Sequence, residues 1–111
     1  MNRLVSLIER GEVQMLGLIR QEVLSGIKDP TLYAAIRDSL RWYPDGVVTT
    51  AIHELAAEYF NRCRSKGIQG SHTDFLISAC STVWDMPVLS KDHDYEHYAL
   101  WLPITIERET V

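Results

Sequence analysis

Four carboxylates in this chain stand where separated elements could deliver them to one point. Asp74 lies in the first turn of an apolar helical stretch, and Asp92 and Asp94 follow the short apolar run Met86–Leu89. Glu22 follows another apolar run, Val13–Leu18. In α/β folds, residues just past the carboxyl end of a strand line the ligand crevice. Like charges a few ångströms apart cannot all ionise without a cation between them. An all-oxygen donor set suits a hard ion, Mg²⁺ or Mn²⁺, and such ions serve phosphoryl chemistry. Each acid also has an ordinary explanation. Most Asp and Glu are solvated surface, and an acid in a first turn is favoured by the helix dipole alone. Asp74 departs from that pattern because the helix behind it (Phe75, Leu76, Ala79, Cys80, Val83) is nearly all apolar, so its charge sits at a buried mouth.

The elements that must position these acids follow from the hydrophobic pattern. Leu4, Val5, Leu7 and Ile8 fall on one side of an amphipathic helix over residues 2–10, closed by Gly11. Val13–Leu18 reads as a strand and Ile19–Ser25 as a helix carrying Glu22. Asp29–Pro30 opens a helix over Thr31–Trp42, with Leu32, Ala35, Ile36 and Leu40 at helical spacing, ended by Pro44-Asp45-Gly46. Thr49 or Thr50 caps a long helix to about Lys66, buried along Ile52, Leu55, Ala56, Tyr59, Phe60 and Cys63. After Gly67, Ile68-Gln69 is at most a minimal strand. Ser71 or His72 introduces the Asp74 helix. Met86–Leu89 is a second strand, Ser90–Asp94 the turn after it, and Tyr95–Leu100 a helix. Pro103–Ile106 is an edge strand, since proline cannot donate to a ladder. Strands alternating with helices call for a mostly parallel sheet flanked by helices.

The stretches LIRQEVLSGIKD, TDFLISACS and MPVLSKDHDYEHYA, in this order and spacing, resemble the PIN-domain nucleases, most closely the VapC-type toxins of bacterial toxin–antitoxin pairs. The resemblance runs from about Met1 to about Ile106. It implies a three-layer PIN-like α/β fold and a Mg²⁺- or Mn²⁺-dependent endoribonuclease, the toxin of a type II pair. It also implies an RNA substrate, an antitoxin partner and a homodimer. Carried over by position, Glu22, Asp74, Asp92 and Asp94 are metal ligands, with Glu22, Asp74 and Asp92 as the catalytic acids. Ser90 stands where Thr or Ser orients an acid or a water.

The family opens with an apolar-apolar-Asp-Thr/Ser strand, whereas this chain has no Asp before Asp29 and begins MNRLVSLIERGEV, similar to the family's second helix. The first strand and helix are thus expected to be absent from a single domain over 1–111. That absence would leave Val13–Leu18 and Met86–Leu89 roughly 10 Å apart, two strand spacings. Either those strands close up or a partner chain fills the slot. A non-catalytic PIN-like module that dimerises or binds an antitoxin, or a truncated relic, stands as the alternative to the enzyme.

Composition sets further bounds. With 111 residues, 46% of them hydrophobic, the chain can bury a real but modest core. No apolar run approaches the ~20 residues of a membrane span, and no basic-then-apolar leader opens it, so a cytoplasmic protein is expected. Net charge −4 argues against broad affinity for nucleic acid. Arg62, Arg64 and Lys66 form one local basic cluster, read either as favourable charge at a helix C-terminus or as an RNA contact. Trp42 and Tyr43 read either as loop-edge aromatics packed on the core or as an antitoxin-docking patch. Cys63 and Cys80 lack CxxC spacing and read as free core thiols. His93 and His97 have i, i+4 spacing but not the HExxH order of a zinc site. His53 reads as structural.

Overall fold

In a computed structural model, residues 6–9, 12–90 and 92–108 are described. Four short strands and five helices follow one another as β1 (Ser6–Glu9), β2 (Glu12–Gln14), α1 (Gly17–Ser25), α2 (Pro30–Leu40), α3 (Thr50–Ser65), α4 (His72–Trp84), β3 (Val88–Ser90), α5 (Asp94–Tyr98) and β4 (Ile106–Arg108). The fold is mixed α/β.

The helices obey their local signals. Asp29 caps α2, its carboxylate accepting from the Leu32 amide at 2.9 Å, with Pro30 in the first turn where its missing N–H costs nothing. Thr49 caps α3 through the Ile52 amide and Ser71 caps α4 through the Asp74 amide. Asp85 closes α4 in the left-handed region at φ 53°, a conformation short polar side chains tolerate. The core is built from α3 and α4 with α1, β3, α5 and the chain after it. Ile52, Tyr59, Phe75, Ile77, Val88, Tyr95 and Tyr98 are all essentially inaccessible. Cys63 and Cys80 are buried free thiols as expected, and burial pushes the Cys80 thiol up to about 12. By contrast α2 buries no residue, and its Leu32 is 51% exposed despite its place in the apolar stripe.

The sheet corrects four expectations. Its order is β2-β1-β3-β4, with β1 antiparallel to both β2 and β3, and only β3–β4 parallel. It is therefore not mostly parallel. Residues 6–9, expected within a helix, form a strand, while residues 2–5, 10 and 11 of that expected helix lie outside the described residues. The slot between β2 and β3 is neither closed nor left for a partner: β1 fills it, with Leu7 opposite both Gln14 and Val88. A nine-residue amphipathic helix is marginal by itself, whereas a strand placed between two others satisfies its backbone on both sides. The run Val13–Leu18 is likewise split, because α1 starts at Gly17 and takes over the second half. Residues 68–69 form no strand, and the last strand is at the sheet edge as expected but spans Ile106–Arg108, so Pro103 lies outside it and does not set its place.

One corner of the molecule is tied by Arg20. Its guanidinium donates to Asp45 Oδ1 at 3.0 Å, to the Leu40 carbonyl at 3.0 Å and to the Tyr43 carbonyl. The Gly46 amide donates to the Met15 carbonyl at 2.8 Å. A Cβ on Gly46 would lie 2.9 Å from Trp84 Cζ2, so only glycine admits that indole. The aromatics before this turn do not pack on the core: Trp42 is 84% exposed and Tyr43 43%. Among the described residues, no helix is long and apolar enough to cross a membrane.

Candidate metal centre

Asp74 occupies the third position of α4, where its backbone N–H is taken by the Ser71 hydroxyl at 3.1 Å. The side chain is 4% exposed. Burial of a carboxylate is costly unless it is hydrogen-bonded, and α5 supplies those bonds. Tyr98 donates its hydroxyl to Asp74 Oδ2 at 2.7 Å, and Tyr95 donates to Oδ1 at 3.4 Å. The two rings meet edge to face at 5.2 Å, and Tyr98 packs on Phe75 at 4.9 Å. The fit depends on Gly70, where a Cβ would lie 2.9 Å from Phe75 Cε2 and nearer still to the Tyr98 hydroxyl.

Both phenols are held well above the ordinary tyrosine pKa. Burial is the main cause in each; the Asp74 charge follows for Tyr95, and the hydrogen bond to Asp74 for Tyr98. They stay protonated, so they orient Asp74 as donors and do not act as bases.

The second side of the site is the turn after β3. The buried Ser90 hydroxyl accepts from the Asp92 amide at 2.9 Å, and Asp92 Oδ1 accepts from the Asp94 amide at 3.0 Å. Lys91, within this turn, lies outside the described residues. The result is a half-buried Asp92 and an exposed Asp94 beside the buried Asp74, each offering an oxygen within 4.8 Å of the others. Asp74, Asp92 and Asp94 would together offer a metal ion three carboxylate oxygens. The donor set therefore fits a hard divalent cation.

No family model and no curated protein matches this chain.

The expected residues separate into two groups. Asp74, Asp92 and Asp94 come together, with Ser90 fixing the turn that carries two of them. Glu22 is exposed on α1 and does not join the convergent acids found among the described residues. His93 pairs through Nδ1 with Glu96 at 3.1 Å on the exposed side of α5. His53 is exposed on α3. Tyr95 and Tyr98 escaped the sequence reading. Their signal was present: aromatic residues at i, i+3 immediately after an acidic turn put two phenols on one face of a short helix.

Proposed function

We propose that this chain is a Mg²⁺- or Mn²⁺-dependent endoribonuclease of the PIN-like kind, the toxin of a type II toxin–antitoxin pair. The observation that carries the reading is the convergence of Asp74 from α4 with Asp92 and Asp94 from the turn after β3. Their spacing and the resemblance of TDFLISACS and MPVLSKDHDYEHYA to the PIN-domain nucleases support the same reading. Mg²⁺ or Mn²⁺ is preferred to zinc because the three donors are carboxylate oxygens.

Asp74, Asp92 and Asp94 would hold the ion. When bound, it supplies polarisation of a phosphodiester and activation of a water. The residues of the chain do the positioning. Tyr95 and Tyr98 hold the Asp74 carboxylate in one orientation. Ser90 keeps the turn in register, so that Asp92 and Asp94 face the same point. Glu22, expected as a ligand from its place after an apolar run and from the resemblance, stands apart from the other three.

A second reading, a non-catalytic module that dimerises or binds an antitoxin, is favoured by the aromatic edge of the α2–α3 loop. Trp42 and Val47 are 84% and 77% exposed, with Tyr43 between them in sequence. Calorimetric titration of Mn²⁺ into the chain and into Asp74→Asn separates the two. Saturable binding that the variant loses supports the nuclease. No binding in either leaves the docking module as the better account.

A further inference from the structure

The acidic centre opens sideways into a depression of about 240 Å³, lined by Gly67, Ile68, Gln69, Asp94, His97 and Tyr98. Two of these residues belong to the centre itself: Asp94 is one of the three acids, and Tyr98 holds Asp74. The opposite wall, residues 67–69, follows directly on Lys66, the C-cap of α3. Lys66 Nζ lies 4.8 Å from the ring centre of Trp101, whose indole is 42% exposed. The Trp101 carbonyl accepts from Arg62 Nη1 at 3.5 Å, and Trp101 is tied back to the site through its amide, which donates to the Tyr98 carbonyl at 3.0 Å. The depression is thus acidic at Asp94, and the chain on either side of its lining leads to a Lys66–Trp101 pair with Arg62 on the Trp101 carbonyl. A helix C-terminus explains the cations. It does not explain why a tryptophan that is 42% exposed lies under one of them.

Cations that track a backbone, next to an aromatic face on which a base can stack, are what an unpaired nucleic-acid strand requires. A duplex keeps its bases stacked and cannot use the indole. We propose that Trp101, Lys66 and Arg62 form a landing platform for single-stranded RNA. A base stacks on Trp101, Lys66 and Arg62 neutralise the flanking phosphates, and the strand continues over residues 67–69 towards Asp94. The direction of the strand rests on the nuclease reading, whereas binding to the platform does not require the acids. The site is local, which fits a chain whose net charge is −4.

The test is fluorescence anisotropy of a labelled oligoribonucleotide of about ten unpaired nucleotides, a length within one single-strand site, added to the full chain in EDTA. Trp101→Leu should weaken binding about 5- to 150-fold, the range for losing one stacked base, and Trp101→Phe should recover most of it. Lys66→Gln, on the surface and safe for folding, should lower the slope of log affinity against log salt by about 0.7. Asp74→Asn should bind as tightly as the parent or more so. The platform is overturned if the parent does not bind, if Trp101→Leu and Lys66→Gln both bind like the parent, or if the matching duplex binds better. Oligonucleotide binding without Mn²⁺ binding would remove the nuclease and keep the platform; the reverse would remove the platform alone.

Discussion

Two corners of this molecule are built alike and end differently. At one, Gly46 makes room for the Trp84 indole, and the neighbouring acid, Asp45, pairs with Arg20 at 2.9 Å. At the other, Gly70 makes room for Tyr98, and the acid beside it, Asp74, accepts hydrogen bonds from two neutral phenols. Asp45 is 43% exposed at its side chain, Asp74 almost wholly buried. The first corner is a staple: opposite charges meet near water and hold a loop against α1. The second concentrates negative charge with Asp92 and Asp94 and fixes its direction. An acid held by an arginine closes a structure, whereas one held by hydroxyls beside two further acids keeps its charge available to a cation.

Adding one methyl group at each corner tests this contrast most severely. Gly70→Ala should cost up to about 3 kcal/mol by overpacking and, by displacing the Tyr98 hydroxyl, weaken Mn²⁺ binding about 10- to 100-fold, the usual cost of losing a ligand's outer partner. Gly46→Ala should lower the melting temperature comparably and leave Mn²⁺ binding intact. Equal Mn²⁺ affinity in the two variants would erase the distinction between the corners.

Tyr98→Phe asks the same question with less disturbance. Losing a hydrogen bond to a carboxylate should cost about 1.5 kcal/mol at neutral pH, read by urea denaturation. The variant also has an alkaline signature. The Tyr98 pKa is raised in the folded state by burial and by its bond to Asp74, while the unfolded phenol titrates near 10. The unfolded chain therefore loses this proton first, and stability that is fully present below pH ~10 falls as the pH rises beyond it. In Tyr98→Phe that decline should be shallower between pH 9 and 11. A decline as steep as the parent's would mean the phenol ionises as readily in the fold as outside it.

The smallest effect belongs to the staple. Asp45→Asn should cost less than about 1 kcal/mol, as partly exposed ion pairs do, with a loss that shrinks in high salt. Thermal melts at low and high salt measure it. A larger, salt-independent loss would show Asp45 to be as tightly embedded as Asp74.

The sequence by itself determined α2, α3, α4 and α5, narrowed the caps of α3 and α4 to two residues each, and put Asp74, Asp92 and Asp94 beside element ends. Asp29, Thr49 and Ser71 sit directly before apolar periodic runs, and a capping bond needs only residues three apart. The turn Ser90–Asp94 was legible for the same reason, its hydrogen bonds joining residues two apart. The sheet was not legible. Residues 6–9 have an apolar pattern that suits helix or strand, and the choice fell to pairing with β3, about 80 residues away in the chain, which no local pattern encodes. Tertiary structure likewise decided that Glu22 stays outside the acidic cluster, that Leu32 and Trp42 remain exposed, and that Tyr95 and Tyr98 turn inward to Asp74. Each of these depends on which surfaces meet in the folded chain rather than on the spacing of residues along it.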